Sequence, residues 1–206
     1  MGAIRKEVHV LGIDGLLYIP GYISPQHHDV LIETIDSQPW RTDLARRTQH
    51  YGYVYDYRAR SVDASAWLGE LPRWLARIAR QLVADGLVGA APDQAIINEY
   101  TPGQGVADHI DCTPCFDDVI TSLSLGSSAV MDLKRQGHHV PIWLEPRCLL
   151  VLRGAARYEW THGIARRQHD SVDDARVPRG RRLSVTFRRV IVATNEQAIN
   201  VEVGTS

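Results

Sequence analysis

"VITSLSLGSSAVMDLKRQGHHVPIWLEPRCLLVLRG", residues 119–154, carries the reading of the fold. It resolves into four short β-rich runs, "VITSLSLG", "AVMDLK", "VPIWLE" and "CLLVLRG", with turn signals at Gly126, Gly137 and Gly154. Strands spaced this closely, with no helical period between them, indicate an all-β barrel or a double-sheet jelly roll. The texture extends both ways. "AIINEY" and the Pro102-Gly103 turn precede the stretch, and "RYEWTHG" and "RLSVTFRRVIV" follow it.

Upstream of Ala95 the pattern is different. "SPQHHDVLIETIDSQ" begins with Ser24 as N-cap and Pro25 at the first helical position, a good helix start. "LPRWLARIARQLVADG" sets Leu75, Ile78, Ala79 and Leu82 on one stripe and ends near Gly86, a second amphipathic helix. Between them Tyr51, Tyr53, Tyr55 and Tyr57 alternate with other residues, which predicts a hairpin or extended ribbon with one tyrosine face. The expected class is therefore mainly β (α+β), with the N-terminal helices packed on one sheet.

At 206 residues the chain is long enough to bury a real core. A hydrophobic content of 44%, a charged content of 23% and a net charge of −1 are ordinary for a globular protein, so any polyanion site must be a local patch. The N-terminus shows neither a long apolar run nor a small-residue cleavage site, and no segment reaches the ~18 apolar residues of a membrane span. Cys112, Cys115 and Cys148 make an odd number, which argues against a disulfide framework and for a reducing, cytoplasmic setting.

Metal ligation centres on "NEYTPGQGVADHIDCTPC", residues 98–115. Cys112-Thr-Pro-Cys115 is a single CxxC, whereas structural zinc takes four ligands, so a pair of thiols is the stronger expectation. His109-Ile-Asp111 is the better candidate, because residues i and i+2 of a strand project to one face. Two His and a carboxylate on one face are the ligand set of non-haem Fe(II) oxygenases. HxD alone is a weak signal. Of the other histidines, His138 and His139 lie in a turn and His169 in a polar loop, while His162 follows "RYEW" and precedes Gly163 at a strand end. In "RRLSVTFRR", Arg182, Ser184, Thr186 and Arg188 share one strand face. Facing inward, the two arginines would need anionic partners such as a dicarboxylate; facing outward, they would simply be solvated.

Taken together, "NEY…PGQG…HID…SLSLGS…MDL…RYEWTHGI…RRLSVTFRR" resembles the AlkB-like branch of Fe(II)/2-oxoglutarate dioxygenases. It is most similar to the oxygenase domain of the tRNA wobble-uridine hydroxylases and their bacterial relatives. The resemblance runs from about Thr48 to Val190. It implies one domain over 1–206, with N-terminal helices and a nucleotide-recognition lid hairpin in 1–92, a jelly-roll core in 93–192 and a tail in 193–206. It further implies that His109, Asp111 and His162 bind Fe(II), and that Asn98, Tyr100, Arg182, Ser184 and Arg188 bind 2-oxoglutarate. Arg182 would meet the distal carboxylate, and Ser184 stands where relatives carry Asn. Dioxygen is the second co-substrate, and succinate and carbon dioxide are products. The thiols belong to none of these roles.

The resemblance also implies a nucleic-acid substrate: single-stranded DNA or RNA, or tRNA, with no membrane and no obligate protein partner. Tyr53 and Tyr55 fall in the lid segment. Arg41, Arg46, Arg47, Arg58 and Arg60 interleave with the tyrosines and His50, a mixture suited to phosphates and stacked bases. DNA-repair members carry an aromatic stacking residue before the lid tyrosines and an acidic residue two positions after the iron-binding Asp; here those places hold Arg46 and Thr113. That departure weakens direct repair as the sole reading and leaves RNA, especially tRNA, in play, along with a protein side chain or a small molecule. Rival readings are a hydroxylase of a small molecule or protein side chain, and a non-catalytic barrel that binds a modified base.

Overall fold

The computed structural model describes residues 8–9, 12–56, 59 and 61–191. In chain order the principal elements are β1 (Val8–His9), β2 (Leu16–Ile19), α1 (Pro25–Asp36), β3 (Thr48–Tyr51), α2 (Arg73–Ala84), β4 (Gln94–Tyr100), β5 (Val106–His109), β6 (Ile120–Gly126), β7 (Ala129–Arg135), β8 (His138–Leu144), β9 (Leu149–Leu152), α3 (Gly154–Tyr158), β10 (Thr161–Ile164), β11 (His169–Val172), β12 (Ala175–Pro178) and β13 (Arg182–Arg188). A large sheet runs β1-β2-β9-β6-β13-β4-β3 and a smaller one β5-β10-β7-β8, all antiparallel, with β11 and β12 as a separate hairpin. Two antiparallel sheets with the site between them are the expected jelly roll.

Strand alternation decides what lies on each face of the large sheet. Leu183, Val185 and Phe187 of β13 join Ala95, Ile97, Leu123, Leu125, Leu149 and Val151 in one apolar cluster with Leu31 and Ile35 of α1 and Leu75, Ile78, Ala79 and Leu82 of α2. The helices therefore cover one face, as their stripes predict. Ser24 caps α1 by accepting the His27 amide at 3.1 Å. The opposite face sends Arg182, Ser184, Thr186 and Arg188 into the space between the sheets, which settles the orientation that spacing alone left open. The second cluster closes that space with Ile120, Leu150, Leu152, Met131, Leu133, Ile142 and Phe116. An ion-pair network ties helix to sheet: Arg181 bridges Asp36 of α1 and Glu99 of β4, and Arg47 meets the same Glu99.

The tyrosine ribbon departs from expectation. Gly52–Asp56 does return antiparallel as Ser61–Leu68, through bridges Tyr53↔Trp67 and Asp56↔Ser61. The tyrosines do not share a face, however. Tyr51 packs edge-on against Trp74 of α2, while Tyr53 and Tyr55 pack into the cluster between the sheets. Gly52, at φ +77°, reverses the alternation. Tyr57, Arg58 and Arg60, and the tail from residue 192, lie outside the described residues.

Candidate active site

The antiparallel pairing of β5 with β10 sets His109 directly opposite His162, with ring centroids 4.4 Å apart. Asp111 follows two residues after His109, and donor atoms of the three side chains all lie within 4.8 Å of one another. His109 Nδ1 sits 2.9 Å from the Ala107 carbonyl oxygen. A carbonyl only accepts, so Nδ1 carries the proton and Nε2 keeps its lone pair for a ligand. Gly163, next to His162, passes so close to Asp108 that a side chain there would strike the Asp108 backbone nitrogen, 3.0 Å from where its Cβ would sit.

Charge around the triad is arranged for a cation. Burial alone would raise the Asp111 pKa, but the Arg188 guanidinium and the two imidazoles outweigh it and hold the carboxyl well below the usual range. Arg188 Nη2 donates to Asp111 Oδ1 at 2.5 Å. Asp111 Oδ2 is buried, has no hydrogen-bond partner, and lies 3.6 Å from His162 Nε2. Burial pushes His162 down to about 4, so its imidazole is neutral at physiological pH. A buried carboxylate oxygen without a donor, beside two neutral-capable imidazoles, fits a divalent metal ion of the facial-triad type.

A cavity of about 670 Å³ extends from the triad between the sheets. At its inner end Arg182, 2% exposed, donates to Ser124 Oγ at 2.9 Å and lies 5.6 Å over the Tyr100 ring. Its Nε and Nη1 are buried without partners. A guanidinium with a free edge in a dry pocket fits a carboxylate. Register explains the grouping: Ser184 stands between Asn98 and Ser124, and Arg182 between Tyr100 and Gly126. The residues thus accommodate both a metal and a dicarboxylate.

Residues 15–188 match the model of the 2OG-Fe(II) oxygenase superfamily. The chain belongs to this superfamily. Within it, the oxygenase is similar to alkB homologues. It is 30% identical over 183 residues to the mitochondrial alkB homolog 7 of Mus musculus, covering 82% of this chain and 76% of that one. It is 39% identical over 167 residues to the tRNA (carboxymethyluridine(34)-5-O)-methyltransferase alkbh8 of Xenopus tropicalis, covering 77% of this chain and 26% of the relative. The oxygenase thus aligns with about a quarter of the frog protein. The solved structure of OsALKBH1 superposes with a TM-score of 0.68 at 17% identity, over 89% of this chain and all of that one, a likeness of fold. Membership makes the protein a 2-oxoglutarate-dependent Fe(II) dioxygenase using Fe(II), 2-oxoglutarate and O2.

Of the residues expected at the oxygenase's site, His109, Asp111, His162, Asn98, Tyr100, Arg182, Ser184, Arg188, Arg46 and Tyr55 all line the one cavity. Tyr53 does not line it; its ring packs on the second cluster instead. Thr113 is exposed outside the lining, because the turn at Cys112–Cys115 carries it outward. The expected free thiols are a disulfide: the turn brings the Cα atoms of Cys112 and Cys115 to 5.3 Å, inside bridging range, and Cys148 is the free, buried cysteine. The odd count of cysteines therefore carries no argument for a reducing compartment. No helix among the described residues is long and apolar enough to cross a membrane. Arg47 and His50 lie outside the cavity lining: Arg47 pairs with Glu99 and stacks on the Trp40 ring, and burial lowers His50 to about 4. Ser122, Ser124 and Arg157 carry no clear signal in the sequence; only the alternation of "ITSLSLG" hints that serines face inward.

Proposed function

We propose that this dioxygenase oxidises an alkylated, uncharged nucleobase in single-stranded nucleic acid, with RNA and tRNA foremost. The carrying observation is the charge of the cavity. Among its described lining residues four arginines, Arg46, Arg166, Arg182 and Arg188, stand against Asp108 and Asp111, and Asp108 is already paired with Lys134 at 2.7 Å. An adenine or cytosine methylated on a ring nitrogen is a cation and would be repelled on entry; an uncharged, modified uridine would not. The frog relative is named for a tRNA uridine whose carboxymethyl group is an anion at neutral pH, a base that carries no positive charge either, which supports that preference.

In this reading His109, Asp111 and His162 hold Fe(II), which with 2-oxoglutarate and dioxygen supplies the oxidation of a C–H bond. Arg182 binds the distal carboxylate of 2-oxoglutarate through the donors it leaves free, with Tyr100 and Ser124 fixing its plane. Arg188 neutralises the outer oxygen of Asp111 and keeps the carboxylate turned toward the imidazoles. Ile120, Met131, Leu150 and Leu152 keep water from the reacting carbon. Tyr55 and Arg46 place the base. Arg46 is oriented by its Nε–H bond to Asn98 Oδ1 at 2.8 Å. No side chain acts as nucleophile.

The test is a panel of methylated RNA and DNA oligomers and bulk tRNA, incubated with Fe(II), ascorbate and 2-oxoglutarate. Formaldehyde, succinate and nucleoside masses are read together. The expected result is a tRNA nucleoside heavier by one oxygen, absent with His109→Ala, and little formaldehyde from cationic methylated bases. Succinate formation with every nucleic acid unchanged would move the substrate to a small molecule or a protein side chain.

A further inference from the structure

Beneath the metal-binding loop lies a charge that the catalytic scheme does not use. Arg157, on α3, is 2% exposed. Its Nη1 donates to the Asp111 carbonyl at 2.9 Å and its Nη2 to the Cys112 carbonyl at 3.2 Å. Burying a guanidinium costs several kcal/mol before compensation, and a Leu or Met would fill the same volume without that penalty. Burial accordingly depresses the Arg157 pKa. The Asp111 carbonyl belongs to the peptide that joins Asp111 to Cys112 and the Cys112 carbonyl to the next one, so the two arms of the fork hold two successive peptide planes at the exit from Asp111. Arg157 also sits five residues before His162, where α3 gives way to β10. One short segment thus carries a metal-facing imidazole and the clamp on the facing carboxylate's backbone.

Further along, the loop is tied to the chain after β13, where the Ile191 amide donates to the Cys115 carbonyl at 2.9 Å. Asp111 lies beyond the last paired residue of β5, so no ladder bond fixes it. Its carboxylate is held on one oxygen by Arg188, and its chain continues into the Cys112–Cys115 turn. We propose that Arg157 is a positioning residue: it sets the orientation of Asp111 through the Asp111–Cys112 peptide, and thereby the metal affinity of the site. The inference rests on the assignment of His109, Asp111 and His162 as the metal-binding triad.

Electrostatics and positioning predict opposite signs. Arg157 is a cation close to the site of another cation, so removing its charge would by Coulomb's law tighten metal binding. Removing a group that orients a ligand weakens it, typically ten- to a hundred-fold. Mn(II) binding to the full chain, read by the loss of the free-ion EPR signal, measures this without turnover. Wild type against His109→Ala first tests the triad itself; equal binding by both would remove the assignment rather than the clamp. With the triad established, Arg157→Met should bind Mn(II) about ten-fold more weakly. Arg157→Lys, which keeps the charge but cannot span two carbonyls, should also bind more weakly than wild type. Ile78→Val, in the helix layer on the far face of the large sheet, lowers stability without touching the loop and should leave the Mn(II) affinity unchanged. If Arg157→Met does not fold, Arg157→Lys alone decides. Affinity in a folded Arg157 variant within two-fold of wild type, or tighter, overturns the proposal.

Discussion

At the residue scale the decisive groups are those whose chemistry is left unfinished by the protein. Arg182 offers two buried donors with nothing to receive them, and Asp111 Oδ2 offers an acceptor with nothing to donate. Buried polar groups left unpaired need a reason, and here a metal and a dicarboxylate supply it. Arg182→Met should therefore weaken 2-oxoglutarate binding by about 3 kcal/mol, near 100-fold, with Arg182→Lys intermediate. Calorimetric titration of the Mn(II)-loaded protein checks this, and an unchanged affinity would place the dicarboxylate elsewhere. His50 gives a prediction of a different kind. Burial lowers its pKa from 6.5 to about 4, so between those values the unfolded chain binds the extra proton. Its contribution to stability is complete above about pH 6.5 and shrinks as pH falls toward 4, by up to about 1.4 kcal/mol per pH unit. Thermal unfolding of the metal-free protein between pH 7 and 4.5 should become shallower with pH in His50→Gln; identical slopes would show that His50 does not report on burial.

At the element scale β13 shows what a sequence can disclose. Its apolar and its polar residues alternate strictly, so their separation onto two faces was readable, although which face looked inward was not. That answer depended on α1 and α2 covering the sheet, which is a fact of packing. The tyrosine ribbon was misread for a local reason. Period two assumes that every residue of the run is extended, and Gly52 at φ +77° is not. Its missing side chain is also required sterically, since a Cβ would run into the Asp93 carbonyl. Gly52→Ala should destabilise the fold by about 1–3 kcal/mol and displace the ribbon that carries Tyr55 to the cavity. Denaturant unfolding gives the first effect. A raised KM for nucleic acid with unaltered 2-oxoglutarate affinity gives the second. A variant as stable as wild type would contradict the backbone argument. The CxxC turn was misread because counting cysteines carries no geometry, whereas the backbone turn between Cys112 and Cys115 does.

At the scale of the whole molecule, the site exists only because strands distant in sequence converge. His109 and His162 meet through β5 and β10, and Arg182 reaches Tyr100 and Ser124 through β13 and its neighbours β4 and β6. The triad and the pocket therefore link two sheets, and whatever fills them should stabilise the entire fold, because a ligand that binds only the folded state shifts unfolding by mass action. Mn(II) at about 100 times its Kd adds about 2.7 kcal/mol. For a chain of this size that is a rise in Tm of about 5–10 °C. 2-Oxoglutarate added to the Mn(II) form should raise it further in wild type and not in Arg182→Met, since the second ligand depends on the buried guanidinium. His109→Ala should lose the Mn(II) shift and with it the response to 2-oxoglutarate. Differential scanning fluorimetry separates these arms. A His109→Ala protein stabilised by Mn(II) as much as wild type would mean that the metal binds outside the space between the sheets, and the convergence of β5, β10 and β13 would then need another explanation.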